Sequence, residues 1–144
     1  MKEPLRQHLI LRMVSKFLIP YILLFALYVQ FHGDYGPGGG FQAGVIFAAG
    51  IVLYALIFSL HRARRAFPDR AVELFISLGV LIYGGTGILC LLRGGRFLDY
   101  SVLSTHDPIH GQHLGILLVE LGVGITVTAA MVAIFFAFAD RGRA

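Results

Sequence analysis

Charge is scarce in this chain of 144 residues: 14% of them are charged and 57% are hydrophobic. Soluble domains are typically about 45–50% apolar. The apolar residues also fail to spread at the periods of an amphipathic helix or strand, and collect into runs instead. Residues 41–60 carry no charge, residues 71–92 only Glu73, and residues 114–139 only Glu120. Cysteine is nearly absent. The single Cys90 excludes an internal disulfide and reads as a small packing residue inside the third run. Internal repeats, low-complexity tracts and any stretch suited to a soluble domain are missing too.

What is present is enough apolar sequence to cross a bilayer four times. A span needs about 20 mostly apolar residues, and the runs cover about 9–31, 41–60, 71–92 and 114–139. The expected fold is an all-α membrane protein, one membrane domain over residues 1–144 with four transmembrane helices. The first run follows basic residues as a signal peptide's does, but no small-residue cleavage site follows Phe31 and three further runs come after it. Pro20 predicts a kink inside the first span. The net charge of +4 points to the bilayer rather than nucleic acid, because the basic residues gather at the ends of the runs. Ten of the twelve lie in the N-terminal segment (Lys2, Arg6, Arg12, Lys16), the middle loop (Arg62, Arg64, Arg65, Arg70) and the tail (Arg141, Arg143). Arg93 and Arg96 are the other two. That asymmetry places both termini in the cytoplasm and the 33–40 and 93–113 connections outside.

The outer connection around Gly36, Pro37, Gly38, Gly39, Gly40, Phe41 and Gly44 is the most specified stretch of backbone. Glycine widens the accessible φ range and proline fixes it, so this is a shaped turn entering the second span. Gly40, Gly44 and Ala48 recur at fourfold spacing, a stripe that lets another helix backbone approach closely. Gly79, Gly84, Gly85 and Gly87 predict tight contacts in the third span in the same way. A formal dinucleotide pattern, Gly38-x-Gly40-x-x-Ala43, is coincidental, because it lies between membrane spans and not in a strand–turn–helix unit.

Glu120 is the most informative single residue. Six residues into its run, a charged form is costly unless paired or hydrated. Helical spacing puts it on one face with His113, Leu117, Gly124 and Thr128, a narrow stripe that faces a packed neighbour. Two readings stand: a proton or cation relay position, and a polar bolt that fixes helix packing. Glu73 sits at the start of its span, where an acidic residue complements the helix dipole. Residues 106–113 hold His106, Asp107, His110 and His113, which resembles a metal site at first. Pro108 separates the first two histidines as a helix breaker and no second ligand pair supports closure, so no metal is expected. The stretch reads as a polar outer loop or a proton-collecting surface.

Residues 33–44, from Gly33-Asp34-Tyr35-Gly36 through Pro37-Gly38-Gly39-Gly40-Phe41 to Gly44, resemble the G-H-x-x-P-G-G-G-F-x-x-G signature of the MnhB domain, carried by the MnhB (MrpB) subunit of the multisubunit Mrp-type Na⁺/H⁺ antiporter. The run Gly115–Val123 around Glu120, the four spans and the arginine-bearing middle loop are similar too, so the resemblance covers nearly the whole chain. Asp34 departs from the pattern, which has an imidazole there. The resemblance implies an accessory membrane subunit, not an enzyme, in a plasma-membrane complex that exchanges cytoplasmic Na⁺ for external H⁺. Its partners would be the other Mrp subunits, the larger of which hold the main proton channels, and it would not act alone. No cofactor is implied beyond the transported Na⁺ and H⁺. Pro37 to Phe41 carry over as signature residues, and Glu120 as the acid of the last span. Glu120, Glu73, Asp34 and His113 are the ion-path candidates, and Ala48, Gly124 and Thr128 the helix-packing ones. The alternative is a structural subunit of a related membrane-bound hydrogenase-type or complex I-like ion-pumping complex.

Overall fold

A computed structural model describes residues 3–104 and 106–141; Lys2 and Arg143, counted above for orientation, lie outside them. Five helices account for most of this chain: α1 (Glu3–His32), α2 (Gly40–Phe58), α3 (Leu60–Ala66), α4 (Asp69–Leu92) and α5 (Pro108–Arg141). Four are long and apolar enough to cross a membrane, over Leu9–His32, Gly40–Phe58, Asp69–Leu92 and Pro108–Arg141. Among the described residues there is no strand. Apolar runs of this length can satisfy their backbone groups in a bilayer only within helices or closed barrels.

The long helices stand in a row, in the order α1, α2, α5, α4. Helix α1 packs mainly on α2, α5 lies between α2 and α4, and α4 meets α5. Glycine makes the two inner contacts close. A Cβ on Gly44 would sit 2.8 Å from the Gly124 carbonyl oxygen, and one on Gly122 2.8 Å from that of Gly79. Thr128 adds a hydroxyl that donates to the carbonyls of Gly124 (2.8 Å) and Gly44 (3.2 Å). Gly84 and Gly85 differ from expectation: nothing lies within 4 Å of a Cβ on either. The side of α4 that meets α5 carries Gly79, Thr86 and Gly87, and positions 84 and 85 turn away from it. Farther from the turn, small and branched side chains take over in a core that includes Ala48, Ile51, Ala55, Val72, Val132 and Phe136.

Two boundaries depart from the sequence expectation. Helix α2 stops at Phe58, short of residue 60, because Ser59 adopts φ 108° and ψ 147°. Its N–H still bonds to Ala55 O, and its carbonyl accepts from Ala63 N–H, so one residue ends α2 and begins α3. The basic stop is thus a short helix. Arg64 on it reaches Asp140 at 2.5 Å and Asp69 at 3.8 Å, and lies 5.2 Å from the Phe136 ring centre. This ties the ends of α3, α4 and α5 together. Helix α5 starts at Pro108, not near residue 114. Proline breaks a helix interior but is well tolerated at a helix start, where its missing N–H has no partner to lose.

Candidate functional site

The α1–α2 turn, residues 33–39, folds around the middle of α5. Tyr35 N–H bonds to His32 O at 3.0 Å, and Gly39 N–H to Val29 O at 3.4 Å. Gly39 takes φ 131°, a left-handed value that a side chain would strain. Gly40 then begins α2 directly against the Glu120 backbone: a Cβ there would run into the Glu120 carbonyl oxygen. The Glu120 side chain lies under the turn. A Cβ on Gly33 would be 2.7 and 2.8 Å from its two carboxyl oxygens, and one on Gly39 3.1 Å from Oε1. The glycines therefore make a socket whose walls are backbone and whose occupant is a carboxyl group.

About two helical turns toward the start of α5, on the same face, His113 meets Asp34, with Nδ1 and Oδ2 2.9 Å apart. A carboxylate only accepts, so the imidazole donates from Nδ1. The Asp34 side chain is 19% exposed and that of His113 50%. The Tyr35 ring stacks on the His113 ring at 6.3 Å between centres. One acid thus lies half-buried below the turn, and an acid–imidazole pair stands above it, open to solvent.

The structure brings together three of the four ion-path candidates, Glu120, Asp34 and His113. Glu73 is not with them. It is exposed near the start of α4, at the other end of the row. Within the signature, Gly39, Gly40 and Gly44 are buried, Gly36 is partly covered beside His32, and Pro37 and Phe41 are exposed, Phe41 at 61%. Ala48, Gly124 and Thr128 lie along the α2–α5 contact or its floor. His110 and His113 stand in the first two turns of α5 and not in a loop. Among the described residues no three His, Cys, Asp or Glu side chains converge as metal ligands.

Sequence reasoning does not find two of the participants. Gly33 stands in the sequence only as the start of a motif, yet it is the glycine nearest the Glu120 carboxyl. Gln30 is buried, at 5% exposure, with its Oε1 against Gly124 and its Nε2 unpartnered. The available signal is an amide standing alone in the apolar run 17–31.

The 93–107 connection is ordered by aromatic rings in glycine notches: Phe97 against Gly87 and Tyr100 against Gly115. Arg93 Nη1 donates to the Leu103 carbonyl at 2.5 Å. Asp99 accepts from Ser101 Oγ at 2.5 Å, a bond that holds its carboxyl below the usual range.

Comparison with known proteins gives the family. The profile of a family described as "Domain related to MnhB subunit of Na+/H+ antiporter" matches residues 10–133. "Putative antiporter subunit mnhB2" of Staphylococcus haemolyticus (strain JCSC1435) is 36% identical over 130 residues, 89% of this chain and 92% of the relative. The protein of the same name from Staphylococcus aureus (strain Newman) is 34% identical over 127 residues, 87% of this chain and 89% of its own length. With a match over most of its length and four spans to carry it, the chain belongs to the MnhB family.

Proposed function

We propose that this chain is a multi-pass plasma-membrane subunit of a multisubunit Na⁺/H⁺ antiporter, a transporter component and not a catalytic enzyme. It works with other membrane subunits of that complex, which exchanges cytoplasmic Na⁺ for external H⁺. A row of four helices with α1 exposed along most of its length encloses no path of its own. The termini and α3 face the cytoplasm, as the excess of basic residues at that end favours. The glycine turn, Asp34, His113 and Glu120 then face outward.

Glu120 in its glycine socket carries this reading. Glycine backbone packs against the carboxyl on the turn side, and the Asp34–His113 pair lies between the socket and the outer solution. Such an arrangement suits a group that gains and loses a proton while its surroundings stay fixed. The supported role is an outer acid position that contributes to the ion path. The α2–α5 packing beneath it contributes to assembly of the complex.

Glu120→Gln keeps the shape and removes the titration. Inverted vesicles containing the variant complex are expected to retain all subunits and lose most Na⁺-dependent proton exchange. Normal exchange with normal assembly would remove Glu120 from the path. Loss of assembly alone would make it a packing bolt.

A further inference from the structure

The face of the row flanked by α1 and α4 holds a crevice of about 340 Å³, floored by α2 and α5. Along α5 it is lined from Leu121 to Val132, and Phe67 stands at its far end. Its walls are hydrocarbon apart from Thr128 and Gln30. The Thr128 hydroxyl is already bonded to Gly44 and Gly124. Gln30 is different: at 5% exposure its amide Nε2 has no partner, and it lies at the end nearest the glycine turn. A buried amide donor left unmade costs about 1–3 kcal/mol, so this end asks for an acceptor.

We infer that the crevice holds one acyl chain of a phospholipid from the leaflet on the turn side, with the chain's ester carbonyl accepting from Gln30 Nε2. Length supports this occupant. The eleven residue steps from Leu121 to Val132 rise about 16 Å, close to the ~15 Å of one leaflet's hydrocarbon. Polarity supports it as well, because the crevice's unsatisfied amide lies at one end of an apolar lining, as the ester carbonyl lies at one end of a lipid tail.

The test uses the intact complex in vesicles of phosphatidylethanolamine and phosphatidylglycerol that carry a photoreactive diazirine at the acyl terminus. Labelled residues are mapped by mass spectrometry. Label is expected at Ile51 and Phe67 toward the far end of the crevice and to resist chase by unlabelled lipid, while label on Tyr21 at the exposed face of α1 exchanges freely. Ala129→Phe fills the crevice and should cut the retained label by about tenfold, the scale of an overpacking penalty. Gln30→Leu adds no bulk, so it serves if the larger substitution does not assemble. It should weaken retention several-fold, as one hydrogen bond implies. Label that exchanges as fast as at Tyr21, or that neither variant alters, overturns the inference. So does a photo-cross-linker at Phe75 that captures another subunit in place of lipid. The readout is independent of transport, so it stands apart from the role proposed for Glu120.

Discussion

At Gly40 a Cβ would run into the Glu120 carbonyl oxygen and lie 2.8 Å from its carbon, whereas at Gly84 nothing lies within 4 Å. The same substitution should therefore act in opposite directions. Gly40→Ala presses a methyl against backbone, which has no rotamer to retreat into, and overpacking costs about 1–3 kcal/mol. Gly84→Ala meets only the helix propensity term, which favours alanine by up to about 1 kcal/mol. Melting of the detergent-solubilised complex is expected to fall with the first change and hold or rise slightly with the second. Equal effects would mean that α2 and α5 do not meet as described. Ser59 is a third residue of this kind, held at φ 108° without being glycine. Ser59→Gly should gain about 1 kcal/mol by relieving that strain. Its hydroxyl, 3.5 Å from Arg62 N, contributes little to offset the gain.

At the scale of elements, four helices were legible because apolar runs of membrane length leave few alternatives. The stripe Gly40, Gly44, Ala48 announced a close contact, and the periodicity of Glu120, Gly124 and Thr128 announced another. Neither pattern says which helix answers which, since a small residue fits any neighbour. The break at Ser59 was illegible because serine does not advertise a left-handed φ. Pro108 was ambiguous because the same residue can end a helix or begin one, and only its surroundings in the fold decide. The socket was half legible: Glu120 and the turn each stood out, but their meeting is a tertiary fact across some 80 positions. The 93–107 connection also gains meaning here. Burial holds the Tyr100 hydroxyl above its ordinary value, with Tyr83 and Cys90 adding to the effect. A raised value means that the folded state favours the neutral phenol. The stability this gives is fully present below the unfolded value of about 10 and is lost as pH rises through the folded one. Wild type and Tyr100→Phe should therefore differ in melting temperature by a constant amount up to about pH 10. Above that the gap should move in the variant's favour. Parallel curves throughout would show that the hydroxyl is not enclosed.

For the whole molecule, orientation decides what the socket can exchange with. Four crossings put the start of α1 and the end of α5 on one side, together with α3 and the Arg64–Asp140 tie. The turn, Asp34, His113 and the 93–107 connection share the other side. Cys90, the sole cysteine, is buried, so introduced thiols report without interference. His110 and Arg65 are both exposed and lie at opposite ends. A membrane-impermeant maleimide is expected to label His110→Cys on intact cells and Arg65→Cys only in inverted vesicles. The reverse pattern would turn the socket to the cytoplasm. In that case Glu120 would meet the Na⁺ being expelled before it met external protons, and the outer-acid reading would fail while family and fold stood. The expected pattern gives the carboxyl its short route to the outside, past Asp34 and His113. Toward α3 it is backed by the hydrophobic core of α2, α4 and α5. Under the proposed role, a proton reaching Glu120 from outside would go further along a surface this chain shares with a neighbour, so the exchange assay belongs on the assembled complex and not on this chain alone.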